Sequence, residues 1–274
     1  MTREFKMPAG KVKSPIAKFA LLIIKIVSKF RFGQTLLTLS TLFTISQTRQ
    51  TSIRNQKILF SFVSDTWLPR RFLDVENLEP DTLTWIDEMR PNSTLWDIGA
   101  NVGGYSIYAA KSKAIHVFAF EPSPFNLEFL ARNIWLNNLE RNITVIPIAL
   151  SEFASQAPFL MKRIEWAGSG SSFGEESNSD IESEMFSYST IGIPADKIRE
   201  TFNIQLPDYL KLDVDGIEAL ILAGAKEVLS KVLSVLVEVQ HSDAEQLMIR
   251  SSLTIAGLRK QRTARHNEIW VRDE

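Results

Sequence analysis

The stretch that decides the fold is "LWDIGANVGGYSIYAA", residues 95–110, in which an apolar run leads through glycines into a helical pattern. The apolar run predicts a strand and the final part predicts a helix, so the glycines form a strand-to-helix turn. In open parallel sheets, ligands bind beside such turns, at the carboxyl ends of the strands. The stretch therefore raises the question of which ligand the turn approaches.

The same alternation of short apolar runs with helical patterns continues along the chain. The further strand-like runs are "AIHVFAFE", "NITVIPIAL", "DYLKLDVD", "LSVLVEVQ" and "EIWVRDE". This order predicts an α/β fold with a mostly parallel sheet and right-handed crossovers. Residues 167–190 interrupt the pattern with Ser-rich, acidic sequence, which predicts a long loop of the kind that often forms a lid.

Composition excludes several classes of protein. The chain has 274 residues, 45% of them hydrophobic and 23% charged, which is typical of a globular protein with a full-sized core. It has no cysteine, so a disulfide scaffold, a thiolate metal site and a cysteine nucleophile are excluded, and a reducing cytoplasm is the expected location. The net charge of −1 and the lack of a Lys/Arg stripe beside the glycine turn indicate no nucleic-acid partner.

An acidic residue after the second strand narrows the ligand to a nucleoside. Glu121 lies 22 residues after Gly99, where its carboxylate can accept hydrogen bonds from two ribose hydroxyls. Asn101 stands where the dinucleotide fingerprint has its middle glycine, which lets the backbone approach a pyrophosphate. S-adenosylmethionine has a ribose and no phosphate, and Asp97 is a natural partner for its ammonium group. The sequence therefore favours S-adenosylmethionine over a nicotinamide or flavin dinucleotide.

Four stretches carry a family resemblance: "WDIGANVGGYSIYAA", "VFAFEPSPFNLEFLARNIWLNN", "IALSE" and "DYLKLDVDGIEALILAGA", within about residues 79–240. Together they resemble FkbM-type S-adenosylmethionine-dependent methyltransferases. The resemblance implies an α/β, Rossmann-like class I methyltransferase fold: a seven-stranded, mostly parallel sheet with the last strand antiparallel and helices on both faces. It also implies methyl transfer to a hydroxyl oxygen of a saccharide or a small natural product.

The resemblance also assigns cofactor-binding residues. Those at the methionine end of the cofactor are Asp97, Gly99, Asn101 and Gly103. Glu121 would hold the ribose, and Ala149, Leu150 and Ser151 would border the adenine. Where the family usually has "DVEG", this chain has "DVDG", so Asp215 keeps the charge with a shorter reach.

Candidate catalytic residues lie in and after the fourth predicted strand. Lys211 and Asp213 share one face of an otherwise apolar strand, where an unpaired buried charge is expensive. We predict that Asp213 takes the proton of the acceptor hydroxyl as the methyl group transfers, with Lys211 as its neighbour. His241, after the next strand, is an alternative base, because the pKa of histidine lies near neutrality. His116 and His266 have no evident partner and are expected to be structural or solvated.

Four further residues are candidate acceptor contacts: Trp166, Asp215, Glu218 and Glu238. Trp166 would either stack on a sugar ring or pack within the interrupting loop. Asp215 and Glu218 have the spacing of a capping box, which favours a structural role for them. Two aspartates at D-x-D spacing can bind a divalent cation, but no other residue fixes a metal site, and none is predicted.

The first 60 residues differ from the rest, because they are basic and contain only Glu4 as an acidic residue. We therefore divide the chain into a basic, partly helical N-terminal extension, residues 1–60, and a methyltransferase domain, residues 61–274. Within residues 11–30, lysines follow one helix face and apolar residues the opposite face. This predicts a helix that either docks on the catalytic domain, which we favour, or makes peripheral contact with an anionic membrane. Its uncharged stretch is too short to span a bilayer, and no signal peptide is evident.

The sequence thus predicts an S-adenosylmethionine-dependent O-methyltransferase. Two alternatives stay open: a nicotinamide-dependent oxidoreductase on a related Rossmann fold, and a non-catalytic binding protein that retains the fold. Asn101 argues against the first, and the intact cofactor motifs argue against the second. The acceptor and the oligomeric state are not predicted, because acceptor pockets are built from loops that cofactor motifs do not constrain.

Overall fold

The structure is a computed structural model that describes residues 14–61, 72–161, 168–174, 186–239 and 242–273. The described residues fall into two compact units, which divide between residues 48 and 49. The helices are α1 (Pro15–Val27), α2 (Arg31–Ile45), α3 (Val75–Leu78), α4 (Pro80–Asp87), α5 (Gly104–Lys113), α6 (Pro124–Leu136), α7 (Ala195–Phe202), α8 (Glu218–Ala223), α9 (Lys226–Lys231) and α10 (Asp243–Ile255). The strands of the larger unit begin with β1 (Thr48–Ile53) and β2 (Gln56–Ser61), which form a two-stranded sheet.

The first unit contains α1 and α2. Both are rich in Leu, Ile and Phe, and α1 starts at a proline, which the first turn of a helix tolerates because its N–H has no intrahelical partner. Across the described ranges, no helix combines the length and the apolar character needed to cross a membrane.

The second unit is built on a seven-stranded sheet. Its strands are β3 (Thr94–Ile98), β4 (His116–Phe120), β5 (Ile143–Ile146), β10 (Tyr209–Leu212), β11 (Ser234–Glu238), β12 (Leu258–Ala264) and β13 (Asn267–Arg272). Their order is β12-β13-β11-β10-β3-β4-β5, and β13 runs antiparallel to both of its neighbours. The predicted Rossmann-like sheet with an antiparallel last strand is confirmed.

The order of the strands reverses direction between β3 and β10. From β3 the chain moves outward through α5 to β4, and from β10 it moves the other way through α8 and α9 to β11. Right-handed crossovers therefore place these helices on opposite faces of the sheet. Strands covered on both faces are mostly apolar, and every residue of β3 is buried, including Asp97. Ligands of such sheets bind at the carboxyl ends of the strands beside this switch point.

A second sheet occupies part of the predicted loop. It consists of β6 (Ala149–Leu150), β7 (Ser155–Met161), β8 (Ser171–Phe173) and β9 (Phe186–Ile193), in the order β6-β9-β7-β8. The prediction of a loop throughout residues 167–190 is therefore wrong where β8 and the start of β9 lie. Serine content suggested a loop, but "FSYSTIGI" in β9 places larger residues at alternate positions, which is the period of a strand.

The hairpin formed by β1 and β2 packs on the helices of the larger unit. Asn137 accepts a hydrogen bond from the backbone N–H of Leu59 at 3.1 Å, and Asn133 accepts one from Ser61 at 2.7 Å. Residues 49–61, which composition places mostly in the extension, thus share the core of this unit. The division of the chain into an extension and a methyltransferase domain stays a prediction.

Candidate active site

The glycine turn lies where β3 meets the end of β10. Gly99 has a φ of +81°, and a Cβ atom there would lie 1.9 Å from the carbonyl oxygen of Asp213. Only glycine avoids that clash and adopts this φ without strain. Gly99 therefore lets the two central strand ends approach each other, so its first role is to bring Asp213 close to the turn.

A cavity of about 560 Å³ opens at the carboxyl ends of β3, β4 and β10. Of the predicted cofactor residues, its lining includes Gly99, Asn101, Glu121, Ala149 and Leu150. We call it the first cavity. Asp97, Gly103 and Ser151 belong to the surrounding framework: the Ser151 hydroxyl, for example, donates to the carbonyl oxygen of Phe153 at 2.8 Å. The fold thus brings the glycine turn, Glu121 and the segment after β5 together around one cavity.

Glu121 is held by the backbone on both of its oxygens. Oε2 accepts from the N–H of Asn101 and Oε1 from the N–H of Ser123, each at 2.8 Å. Burial raises the pKa of Glu121 to about 7, although these two donors act in the opposite direction. A carboxylate oxygen can accept more than one hydrogen bond, so Glu121 retains acceptor capacity for hydroxyl donors in the cavity.

Two buried amide oxygens in the first cavity have no partner in the described part of the chain. They are Oδ1 of Asn101 and Oδ1 of Asn126. The Nδ2 groups of the same side chains both donate to the carbonyl oxygen of Gly168, at 2.9 Å and 3.3 Å. A buried acceptor without a donor costs roughly 1–3 kcal/mol. A ligand that carries N–H or O–H donors would remove this cost.

The segment 168–174, which we call the strap, borders the first cavity. Gly168 is bound to Asn101 as described, and the N–H of Gly170 donates to Oδ2 of Asp215 at 2.7 Å. Phe173 of the strap and Phe159 of β7 add apolar wall. The strap therefore connects the glycine turn on one side of the cavity to the loop after β10 on the other.

Lys211 lies buried between two carboxylates beside the turn. Its side chain is 2% exposed, and Nζ lies 3.0 Å from Oδ2 of Asp213 and 3.7 Å from Oδ1 of Asp97. Burial alone would lower the pKa of Lys211, but the two carboxylates outweigh it and raise the pKa above the ordinary value. Ser106 donates to the other oxygen of Asp97 at 2.6 Å. Lys211 therefore stays charged at neutral pH and neutralises the carboxylates that flank it.

A second cavity, of about 840 Å³, lies on the far side of Asp213. It is lined by Leu78, Glu79, Asp81, Thr82, Asp213, Glu238, Ala264, Arg265, His266 and Asn267. Burial, followed by the nearby carboxylate of Asp213, raises the pKa of Glu238 to about 8. Asp213 lines both cavities, so it stands between the two chambers.

The amino-acid sequence that forms this site matches a known family. The model of the Methyltransferase FkbM domain matches residues 97–261, which is more than half of the chain. The chain belongs to the FkbM methyltransferase family. The predicted membership of this family is confirmed.

The FkbM methyltransferase is similar to several named proteins. The hexuronic acid methyltransferase AglP of Haloferax volcanii is 25% identical over 197 residues, which cover 72% of this chain and 74% of AglP. A precorrin-6y C5,15-methyltransferase from Geobacter metallireducens has a TM-score of 0.43 at 14% identity, and the match covers 74% of this chain and 89% of the precorrin methyltransferase chain. Aeropyrum pernix fibrillarin, solved with natively bound S-adenosyl-L-methionine, has a TM-score of 0.43 at 10% identity, covering 83% and 82%.

S-adenosyl-L-methionine is the cofactor of this FkbM methyltransferase, as predicted. The first cavity fits it chemically. Glu121 offers acceptor oxygens for ribose hydroxyls, and the orphaned oxygens of Asn101 and Asn126 match ammonium or amino donors. The walls between these polar groups are apolar, as most of a cofactor pocket is.

Several candidate residues of the FkbM methyltransferase have other surroundings. Glu218 accepts from the N–H groups of Val214 and Gly216, both at 3.1 Å, so its carboxylate holds the turn after β10. The capping box expected from Asp215 does not form, because Asp215 binds the strap and α8 starts only at Glu218. Trp166 and His241 lie outside the described residues.

Some residues that line the cavities had no predicted role in the site. Asn126 follows Glu121 by five positions in "EPSPFN", and a polar residue at the start of a helix beside the acidic residue was the available signal. Arg265 and His266 reach the second cavity from the turn between β12 and β13. No local pattern marks them, because their position depends on the antiparallel pairing of β13 with β11.

A metal site is not part of this geometry. Within the ranges that the structure describes, no group of three or more histidine, aspartate or glutamate side chains is arranged to hold a metal ion.

Proposed function

We propose that this FkbM methyltransferase transfers a methyl group from S-adenosylmethionine to a hydroxyl oxygen of a saccharide or a similar small natural-product acceptor. The observation that carries the proposal is the position of Asp213, which lines both the first and the second cavity. A group that takes a proton during transfer has to contact the acceptor next to the methyl donor. Asp213 is placed to do so.

The first cavity would hold the cofactor. Glu121 would accept from the ribose hydroxyls, while Asn101 and Asn126 would accept from donor groups of the cofactor with their free amide oxygens. Ala149 and Leu150 would border the adenine with apolar surface. When bound, S-adenosylmethionine supplies a methyl group on a positively charged sulfur and leaves as a neutral thioether.

The acceptor would lie in the second cavity with its hydroxyl toward Asp213. As the new carbon–oxygen bond forms, the hydroxyl proton would pass to a carboxylate oxygen of Asp213, a step that contributes about 10²–10⁴ to the rate. Lys211, whose Nζ lies 3.0 Å from Oδ2 of Asp213, would hold that carboxylate in position. Alignment of the reacting atoms by the two cavities would supply much of the remaining rate.

A saccharide suits the second cavity because most of the residues that line it are polar or charged. Carboxylates, an amide, a threonine hydroxyl, Arg265 and His266 offer acceptors and donors around one chamber. Glu238, with its pKa of about 8, is mostly protonated at neutral pH and can donate as well as accept. AglP, which is 25% identical, is a hexuronic acid methyltransferase, and this supports a sugar acceptor.

The test is a transfer assay with S-adenosylmethionine labelled in its methyl group and a panel of neutral sugars, uronic acids and their glycosides. We expect label in an alkali-stable methyl ether on at least one sugar, which mass spectrometry and periodate fragmentation would locate. Label in a base-labile ester would contradict hydroxyl transfer. Binding of NADH, without binding of S-adenosylhomocysteine, would favour the oxidoreductase alternative.

A further inference from the structure

The helices of the first unit expose apolar side chains at helical spacing. On α2 they are Phe32, Leu36, Leu39 and Phe43, with 78%, 50%, 58% and 68% of each residue exposed. On α1 they include Ile16, Phe19, Ile23 and Ile26, with 81%, 65%, 45% and 51% exposed. Helices of a folded core bury such a stripe, and contiguous exposed apolar surface marks an interaction site.

The threonine hydroxyls of α2 all donate hydrogen bonds within the helix. Its four threonines, Thr35, Thr38, Thr41 and Thr44, each donate to the backbone carbonyl four residues earlier, at 3.1, 3.0, 2.9 and 2.8 Å. Hydroxyls bonded in this way need no water, so they can enter an apolar medium at low cost. The helix is thus suited to an environment poorer in water than the surface of a typical soluble domain.

The charge around these helices has one sign. The first 60 residues contain eleven Lys and Arg and a single Glu, for a net charge of +10, which leaves −11 on the remaining residues. Lys18 and Lys25 share one face of α1, Lys29 lies between the two helices, and Arg31 is the first residue of α2. Such a basic segment is attracted to an anionic surface, while the acidic remainder of the chain is repelled by it.

We propose that α1 and α2 together bind the surface of an anionic membrane. Their apolar faces would enter the boundary between headgroups and acyl chains, and their lysines would lie among the anionic headgroups. With 13 and 15 residues, the helices are shorter than the roughly 20 residues that a span requires, so they lie on the bilayer. The sequence placed this contact in residues 11–30 alone; the exposed stripe of α2 extends it to residue 45.

A membrane fits this surface better than a second copy of the chain. Two copies that meet through α1 and α2 would bring two segments of high positive charge together, with no acidic residue between residues 5 and 64 to offset them. Anionic lipid provides both the apolar medium and the opposite charge.

The test uses the full chain in flotation assays with phosphatidylcholine vesicles that contain either no or 30% phosphatidylglycerol. We expect flotation with the anionic vesicles that decreases as salt rises. Phe32→Ser combined with Phe43→Ser should weaken vesicle binding at least about tenfold, because two exposed aromatic anchors are lost. The matched control is Leu247→Ser combined with Ile255→Ser, which removes two apolar side chains, 69% and 83% exposed, from α10 and should leave binding unchanged.

A charge variant completes the test. Replacement of Lys18, Lys25 and Lys29 by glutamine should reduce affinity for anionic vesicles by about 100-fold, since each basic residue near the surface contributes roughly fivefold. Thermal unfolding and binding of S-adenosylhomocysteine would show that all variants remain folded. The proposal is overturned if the wild-type chain does not float at low salt, or if the α10 control loses as much binding as the α2 variant. Concentration-dependent dimers that the α2 variant alone dissociates, without flotation, would assign the surface to a second copy.

Discussion

The two cavities that meet at Asp213 are assembled in different ways. The first is built mainly from the turns that follow β3, β4 and β10, so Asn101, Glu121 and Asp213 each follow a strand that the sequence reveals. The second collects residues 78–82, Glu238 and residues 264–267 from three distant parts of the chain. The proposed cofactor pocket is therefore encoded largely by local motifs, whereas the proposed acceptor chamber depends on how the antiparallel edge of the sheet is placed.

The cavities also differ in polarity. Apolar side chains such as Phe159 and Phe173 separate the polar groups of the first cavity, while ionisable groups dominate the second. A mostly apolar pocket with a few fixed polar groups suits one defined ligand. A chamber rich in donors and acceptors suits a molecule with many hydroxyls. Four substitutions test whether this division is correct.

The largest effect is expected at the shared residue. Asp213→Asn keeps the shape of the side chain and removes its capacity to take a proton, so the turnover number should fall by about 10²–10⁴. Affinity for S-adenosylmethionine should change by no more than a few-fold. Single-turnover kinetics and calorimetry measure the two quantities separately.

Asp215→Asn is the control, because Asp215 lines only the first cavity and binds the strap. If Asp213→Asn abolishes cofactor binding instead, Asp213 belongs to the first cavity alone and the division fails. If Asp213→Asn turns over normally, His241 becomes the candidate base.

The next effect concerns the close approach of β3 and β10. Gly99→Ala should lower the free energy of unfolding by about 2–4 kcal/mol, because a Cβ atom would clash with the backbone of Asp213 and φ is +81°. Gly174→Ala has a similar φ of +77°, but its Cβ would meet only Ala157 at 3.8 Å. It should lose only about 1 kcal/mol. If chemical denaturation shows the same loss of unfolding free energy in both variants, the positive φ, rather than the contact with Asp213, is the reason for glycine at position 99.

A smaller effect is expected for the ribose contact. Glu121→Ala should weaken cofactor binding by about 1.5–3 kcal/mol, the scale of hydrogen bonds to a charged group. Ribose hydroxyls favour the ionised carboxylate, whose pKa is about 7 in the free protein, so wild-type affinity should rise as pH increases through 7. Calorimetry in buffers of different ionisation enthalpy should detect proton release on binding.

Glu128→Ala is a suitable control for Glu121, since Glu128 lies on α6 in an ion pair with Arg132. The role of Glu121 is wrong if its variant binds normally, or if the pH dependence survives the substitution.

The smallest expected effect is a change in how the stability of the protein depends on pH, at Glu238 in the second cavity. The pKa of Glu238 is raised from 4.5 to about 8, so between these values the folded state binds a proton that the unfolded state releases. Protonated Glu238 therefore stabilises the folded state at low pH, and this stabilisation is lost as the pH rises toward 8. Glu238→Gln cannot ionise, so the fall in melting temperature between pH 5.5 and 8.5 should become shallower. The raised pKa of Glu121 lowers the melting temperature with rising pH in the same way, so part of the pH dependence should remain in the Glu238→Gln variant. If the variant and the wild type show the same pH dependence, Glu238 does not contribute to it.

What the sequence predicted follows the same division. The turn after β3 and the acid after β4 could be found because a strand, its turn and its helix are neighbours in the chain. β12 was missed, since its sequence "LRKQRTA" is mostly polar and exposed, as edge strands often are to prevent pairing with other chains. Its identity as a strand depends on pairing with β13, which no local pattern shows.

The strap and Asn126 show why part of the first cavity was also missed. Glycine and serine at residues 168–172 predict flexible connection, and only the folded structure places the Gly168 carbonyl between two asparagine amides. The capping-box expectation for Asp215 failed for a related reason. A tertiary partner, the N–H of Gly170, occupies the carboxylate that a local rule assigned to the helix.

The pairing of β3 with β10 has a consequence for how the protein is made. Asp97 and Lys211 lie opposite each other in this pair, although 114 residues separate them in the chain. At roughly 5–20 residues per second, β3 leaves the ribosome about 6–23 seconds before its neighbour. During that interval the nascent chain has β3, β4 and β5 but an open central edge, with the Asp97 carboxylate not yet matched by its buried ammonium. The emerging half of the domain therefore exposes an unpaired central strand edge until β10 arrives, and such an edge favours aggregation.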